Sequence, residues 1–110
     1  MSKLRYNITF VTSPDREDCL LKHIREDMLP TLFNKDSGAH APEIRKVIEI
    51  GGEKPGENEG VSIALSFAFD TEEQARGWQL SHLLPSLKNY ASKFGKEEPF
   101  FVTLIEELPL

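Results

Sequence analysis

The tetrapeptide Leu29-Pro30-Thr31-Leu32 returns as Leu84-Pro85-Ser86-Leu87, 55 positions further along a chain of 110 residues. The same shift lays Ile8 over Ile63, Phe10 over Leu65 and Val47 over Val102. A half-length period running through both strand-like and helix-like segments marks a duplicated supersecondary unit, and each half here reads as strand, helix, strand.

Residues 4–12, LRYNITFVT, alternate Leu4, Tyr6, Ile8 and Phe10 with Arg5, Asn7 and Thr9, the period of two expected of a half-buried strand. Ser13-Pro14-Asp15 then opens a helix. Serine is a favoured N-cap, proline is preset for the first helical turn, and Asp15, Glu17 and Asp18 put negative charge at the positive end of the helix dipole. Leu20, Leu21, Ile24, Met28, Leu32 and Phe33 carry helical spacing to about Asn34, and Gly38 lies in the exit loop. Residues 41–50, APEIRKVIEI, return to β-branched side chains, and 51–60 form an acidic, glycine-rich loop with Glu53, Glu57 and Glu59. In residues 61–69, VSIALSFAF, large residues occupy one face and Ser62, Ala64, Ser66 and Ala68 the other. Thr71-Glu72-Glu73-Gln74 is a capping box opening a second helix, which carries Ala75, Trp78, Leu80, Leu84, Leu87, Ala91 and Phe94 and stops at Gly95. Phe100 to Glu106 closes the chain as a strand.

The order βαββαβ predicts an α+β, ferredoxin-like sandwich, a four-stranded antiparallel sheet with two helices on one face, as one domain over residues 1–110. Pro30 and Pro85 fall inside their helices, where each removes a backbone hydrogen bond, so a paired kink is expected. By area scaling, a chain this size buries about two thirds of its extended surface, enough for a core without covalent staples.

A single cysteine excludes internal disulfides, and the first thirty residues lack the apolar run of a signal peptide. No stretch approaches the ~20 apolar residues of a membrane span. A bacterial-type cytoplasmic protein is the expectation. The net charge of −5 argues against nucleic acid as a partner. RNA-recognition modules share the βαββαβ order, but they stack bases on aromatics of the open sheet face, where this chain puts small residues while Phe67 and Phe69 face the core.

With both helices on one face, the other face is expected to present Asn7, Thr9 and Val11 with Ser62, Ala64, Ser66 and Ala68, small and almost uncharged, between outer strands apolar on both sides. Such a face calls for cover, and a second copy, sheet against sheet, is the expected cover, leaving room for a cavity. The segment Tyr6-Asn7-Ile8-Thr9-Phe10, helix residue Pro30, the join Asp70-Thr71-Glu72 and the closing Phe101-Val102-Thr103-Leu104-Ile105-Glu106-Glu107 resemble a family of uncharacterised bacterial proteins of about this length, a domain of unknown function. That family is in turn similar to the dimeric α+β barrel superfamily. The resemblance implies a ferredoxin-like protomer and a homodimer, and no activity. Haem-degrading monooxygenases of that superfamily carry an asparagine on the first strand, a tryptophan on the second helix and a histidine ten residues later. Asn7 and Trp78 are similar, but Lys88 stands where that histidine belongs, and His82 is one turn from Trp78.

Other constellations are sparse. Cys19 and His23 share a helix face, but no third orienting group accompanies them, and a cysteine among leucines reads as a small buried hydrophobe. His23 with Asp27 supplies two ligands at i, i+4, short of a zinc site, so no metal is expected, and no cofactor either. Gly51, Gly52, Gly56 and Gly60 precede neither Gly-Lys-Ser/Thr nor a helix, so they read as a hairpin loop.

Three functions therefore stay open. One is a homodimeric small-molecule binder, with its pocket between helices and sheet or between sheets, lined by Asn7, Thr9, Ser62, Ser66, Trp78 and His82. Another is an enzyme of monooxygenase or isomerase type in the same cavity, with Asn7 orienting a substrate oxygen and His82 moving a proton. The third is a non-catalytic dimerisation or interaction module.

Overall fold

A computed structural model of the chain describes residues 3–47, 60–95 and 99–110. Strand β1 (Lys3–Thr12) leads through a 3-10 turn (Pro14–Arg16) into α1 (Glu17–His23), a π-helical turn (Ile24–Met28) and α2 (Leu29–Leu32). Strands β2 (His40–Lys46) and β3 (Val61–Phe69) follow, then α3 (Glu72–Trp78), a second π-helical turn (Gln79–Leu83), α4 (Leu84–Phe94) and β4 (Phe100–Glu107). The expected acidic loop, 51–60, lies outside the described residues except for Gly60, as does the expected end of the second strand, 48–50.

The sheet order is β2-β3-β1-β4, antiparallel throughout. Alternation in β1 and β3 decides which face is buried. Leu4, Tyr6, Ile8 and Phe10 join Ile63, Leu65, Phe67 and Phe69 against Leu20, Ile24, Met28 and Leu32 of the first helical run and Trp78, Leu83, Leu87, Tyr90 and Phe94 of the second. Each such side chain withdrawn from water contributes about 1.5–3 kcal/mol, which is why the two-layer sandwich closes on this face.

The helix ends show local chemistry at work. Thr71 Oγ1 accepts from the Gln74 backbone N–H at 3.1 Å, as the capping box requires. Ser13 caps differently from expectation: its side chain makes no capping bond, and its carbonyl accepts from the Arg16 N–H at 3.0 Å as Pro14 turns the chain. The first helical run stops at Leu32, short of Asn34, with Phe33 already extended. Gly95, at φ +90°, ends α4 in a conformation that disfavours a side chain.

Both expected proline kinks take the same form. Immediately before Pro30 the Leu29 N–H donates to the Ile24 carbonyl, and before Pro85 the Leu84 N–H donates to Gln79, each five residues back. The widened turn accommodates the missing N–H of proline and relieves its ring against the preceding turn. The repeat is thus structural in the helices. In the outer strands it is one place out of step: Lys46 pairs with Ile63 as Val102 pairs with Ile8, so Lys46, not Val47, is the counterpart of Val102. The path from Leu32 to Lys46 is one residue shorter than that from Leu87 to Val102.

Candidate functional site

β4 is an edge strand, and its helix-side residues have only one strand beside them. Phe100 pairs with Phe10, Val102 with Ile8 and Leu104 with Tyr6, all on the helix side of the sheet. On α4, Leu84, Leu87, Lys88 and Ala91 fall on one face at helical spacing. Between that face and β4 runs a groove of about 310 Å³, lined also by Tyr6, Gln79 and Leu83. Gln79 and Leu83 are the first and last residues of the second π-helical turn, so the widening before Pro85 shapes one end. Phe100, Val102 and Leu84 remain 36–43% exposed, so the groove opens outward, whereas Tyr6 is 3% exposed.

Tyr6 sits edge-on to Trp78, ring centroids 5.3 Å apart. Burial pushes its hydroxyl above the ordinary tyrosine value, and the positive charge of Arg76 opposes that rise. The phenol is therefore neutral at physiological pH and able to donate a hydrogen bond. Gln79 and the exposed Lys88 also line the groove, but its surface is almost wholly apolar. A concave apolar surface of this kind is suited to binding a small molecule.

The six residues singled out in the sequence divide between the two sides of the sheet. Asn7, Thr9, Ser62 and Ser66 share the face away from the helices: Asn7 is opposite Ser66, and Ser62 is opposite Val11. There Asn7 Nδ2 donates to Thr9 Oγ1 at 3.0 Å, and Ser66 Oγ accepts from Arg5 Nε at 3.1 Å. Trp78 lies in the core, its ring among Tyr6, Phe67 and Phe69 and its Nε1 donating to the Leu32 carbonyl at 2.9 Å. His82 is half-buried in the π-helical turn, with Nδ1 2.7 Å from Ser81 Oγ, and is not among the groove-lining residues.

The open face is not the uncharged surface expected. Arg5 lies opposite Ala68, Glu43 opposite Ser66 and Arg45 opposite Ala64. Arg5 pairs with Glu43 at 3.1 Å and donates to the Ala41 carbonyl, and Arg45 also pairs with Glu43. A short strand of mixed composition, β2 sets alternate residues on opposite faces: Ile44 packs on the core and its neighbours Glu43 and Arg45 are carried to the other side. Ala41 holds φ +49° beside the β2 bulge, a left-handed conformation that costs a non-glycine residue about 1–2 kcal/mol. The apolar reading of β4 holds on both faces, with Phe101 60% and Ile105 49% exposed.

Cys19 is exposed rather than a buried hydrophobe, because it precedes the inward-facing Leu20 on the helix. His23 is buried, with Nδ1 2.9 Å from Asp27 Oδ2, and Asp27 also meets Lys93 of α4 at 3.2 Å. Among the described residues no three His, Cys, Asp or Glu side chains form a metal-binding group. No described helix is long and apolar enough to cross a membrane.

Tyr6, Leu87, Ala91, Phe100 and Val102 went unnoticed as site residues because each also reads as core. Their signal was the excess of apolar residues on an edge strand, which has too little helix above it to cover them. Lys88 was singled out only as the residue standing in place of a histidine, yet its position does line the groove.

No protein-family model matches the chain, and no curated protein sequence does. Solved structures do. An ethyl tert-butyl ether D (EthD) family protein from Bacillus halodurans superposes with TM-score 0.66 at 15% identity, over 96% of this chain and 99% of that one. A protein of unknown function from Nitrosomonas europaea gives 0.64 at 19%, over 100% and 93%. A dimeric ferredoxin-like protein from an uncultured marine organism gives 0.62 at 18%, over 100% and 95%. The chain has the ferredoxin-like fold, at identities that carry the fold alone.

Proposed function

We propose that this ferredoxin-like chain is a homodimeric binding protein for a small, largely apolar molecule held in the groove between α4 and β4. The observation that carries the reading is the groove itself: about 310 Å³, almost wholly apolar, walled by leucines, Ala91, Phe100 and Val102, with Tyr6 at its base. That volume is at the small end of ordinary ligand sites. Trp78 supports Tyr6 from within the core and gives a built-in reporter, being the one tryptophan of the chain.

The second copy covers the open sheet face. Exposed Phe101 and Ile105 on that face are unfavourable in water, and the marine structural neighbour is described as dimeric. Asn7, Thr9, Ser62 and Ser66 then belong to the surface between protomers. Arg5 can be covered without isolating its charge, because Glu43, the Ala41 carbonyl and Ser66 Oγ already satisfy it.

The groove is tested with Nile red, a neutral apolar dye. The native protein is expected to enhance its emission and Ala91→Phe, which fills the groove from α4, to abolish the enhancement while leaving the circular dichroism spectrum unchanged. Equal enhancement by both proteins places the dye elsewhere and refutes the reading.

A further inference from the structure

Of the nine residues lining the groove, six have pure hydrocarbon side chains, one, Lys88, is cationic and none is acidic, although the chain carries −5 overall. Lys88 is exposed and has no ion-pair or hydrogen-bond partner among the described residues, unlike Lys46 and Lys93, which are paired with Glu17 and Asp27. Nearby Arg76 is held by Glu72 at 2.8 Å. An almost wholly apolar groove with one unneutralised cation among its lining residues is complementary to a molecule with one negative charge on an apolar body. A phosphate, with its higher charge and three acceptor oxygens, wants a guanidinium or a cluster of backbone N–H groups, and the groove lining includes no arginine.

We propose that the groove takes an apolar monocarboxylate, its hydrocarbon laid against Leu83, Leu87, Ala91 and Val102 and its carboxylate neutralised by Lys88. The proposal rests on the binding reading above and adds the chemical class of the ligand. Lys88 lines the groove from an exposed helix position, so its charge costs little to keep and can discriminate between head groups.

The test compares decanoate with 1-decanol, which share a hydrocarbon body and differ in charge, by isothermal titration of the full chain with Trp78 emission as a second readout. Decanoate is expected to bind the native protein more tightly than 1-decanol. Lys88→Ala is expected to weaken decanoate by about 5- to 20-fold and leave 1-decanol within about twofold, as loss of one charge-assisted contact predicts. Rising salt is expected to weaken decanoate only. Being exposed, Lys88 can be replaced without loss of folding, and Lys88→Arg is expected to retain most of the preference. If 1-decanol binds as well as decanoate, or Lys88→Ala affects both alike, the carboxylate assignment is overturned while the groove stands as a binding site. If neither binds and Nile red also fails, the binding reading itself falls.

Discussion

Thr9 on β1 lies directly opposite Ala64 on β3, and Ala64 is its own counterpart in the 55-residue repeat. An antiparallel pair made of equivalent residues marks a local two-fold relation between the halves, passing through the sheet at this point. Ile8 and Phe10 accordingly pair with Leu65 and Ile63, the counterparts of Phe10 and Ile8. The helices obey the same relation. Buried His23 and buried Trp78 are counterparts, as are Asp27 and His82. The halves diverge in chemistry at matched positions: one sets a histidine against an aspartate, the other a tryptophan among aromatic rings.

The paired prolines are expected to be nearly free of strain. Because each follows a π-helical turn, Pro30→Ala or Pro85→Ala is expected to change stability by less than about 1 kcal/mol, chiefly through the unfolded chain. Urea denaturation followed by circular dichroism reads this. A gain of about 3 kcal/mol, the cost of proline in an unbroken helix, would show that the wide turn does not relieve the clash.

Trp78 joins the two helical runs through its bond to the Leu32 carbonyl. Trp78→Phe leaves that carbonyl without its donor and opens space beside Tyr6, Phe67 and Phe69. A loss of about 2–3 kcal/mol is expected, again by urea and circular dichroism, since the variant has no tryptophan to follow. A loss below about 1 kcal/mol would mean that the cluster repacks around the smaller ring.

Asp27 ties α4 to the first helical run. The hydrogen bond from Lys93, then that from His23, holds its carboxyl below the ordinary value of about 3.8. A carboxylate depressed in the folded state adds stability above the unfolded-state value, and that contribution disappears as pH falls through the lower folded value. The native protein is therefore expected to exceed Asp27→Asn in stability near pH 6, and the difference is expected to close below about pH 4. Denaturation curves of both proteins across that range decide it, and a difference independent of pH contradicts the ion-pair account.

Phe101 is 60% exposed on the open sheet face. Phe101→Asp is expected to reduce the mass seen by light scattering from about twice 12.5 kDa to 12.5 kDa, with the fold retained. An unchanged mass for the variant, or a monomeric native protein at micromolar concentration, excludes the open face as the interface.

Strand alternation, the capping box at Thr71 and the stop at Gly95 were legible because each depends on residues close together in the chain, and the proline-centred repeat because it needs only the sequence laid over itself. Period-two burial in residues 4–12 and 61–69 followed from the same local rule. The charge cluster on the open face was hidden because it is assembled from two strands with a third between them: Arg5 of β1 meets Glu43 and Arg45 of β2 only once β2 is placed beside β3 and β3 beside β1. The extent of the first helix was overread because Phe33 keeps the apolar spacing after the backbone has already turned extended.

The sequence by itself determined the order of elements, the paired prolines and which face of each central strand is buried, since hydrophobic period and backbone sterics act over short distances. Which residues share a site was decided only by the tertiary structure. Tyr6, Lys88 and Val102 come from three elements and line one groove because β4 is an edge strand and α4 leaves its inner face partly open. Asn7 and Trp78, which looked like members of one pocket, are on opposite sides of the sheet, because alternate residues of β1 face opposite ways and Trp78 packs against Tyr6 on the helix side.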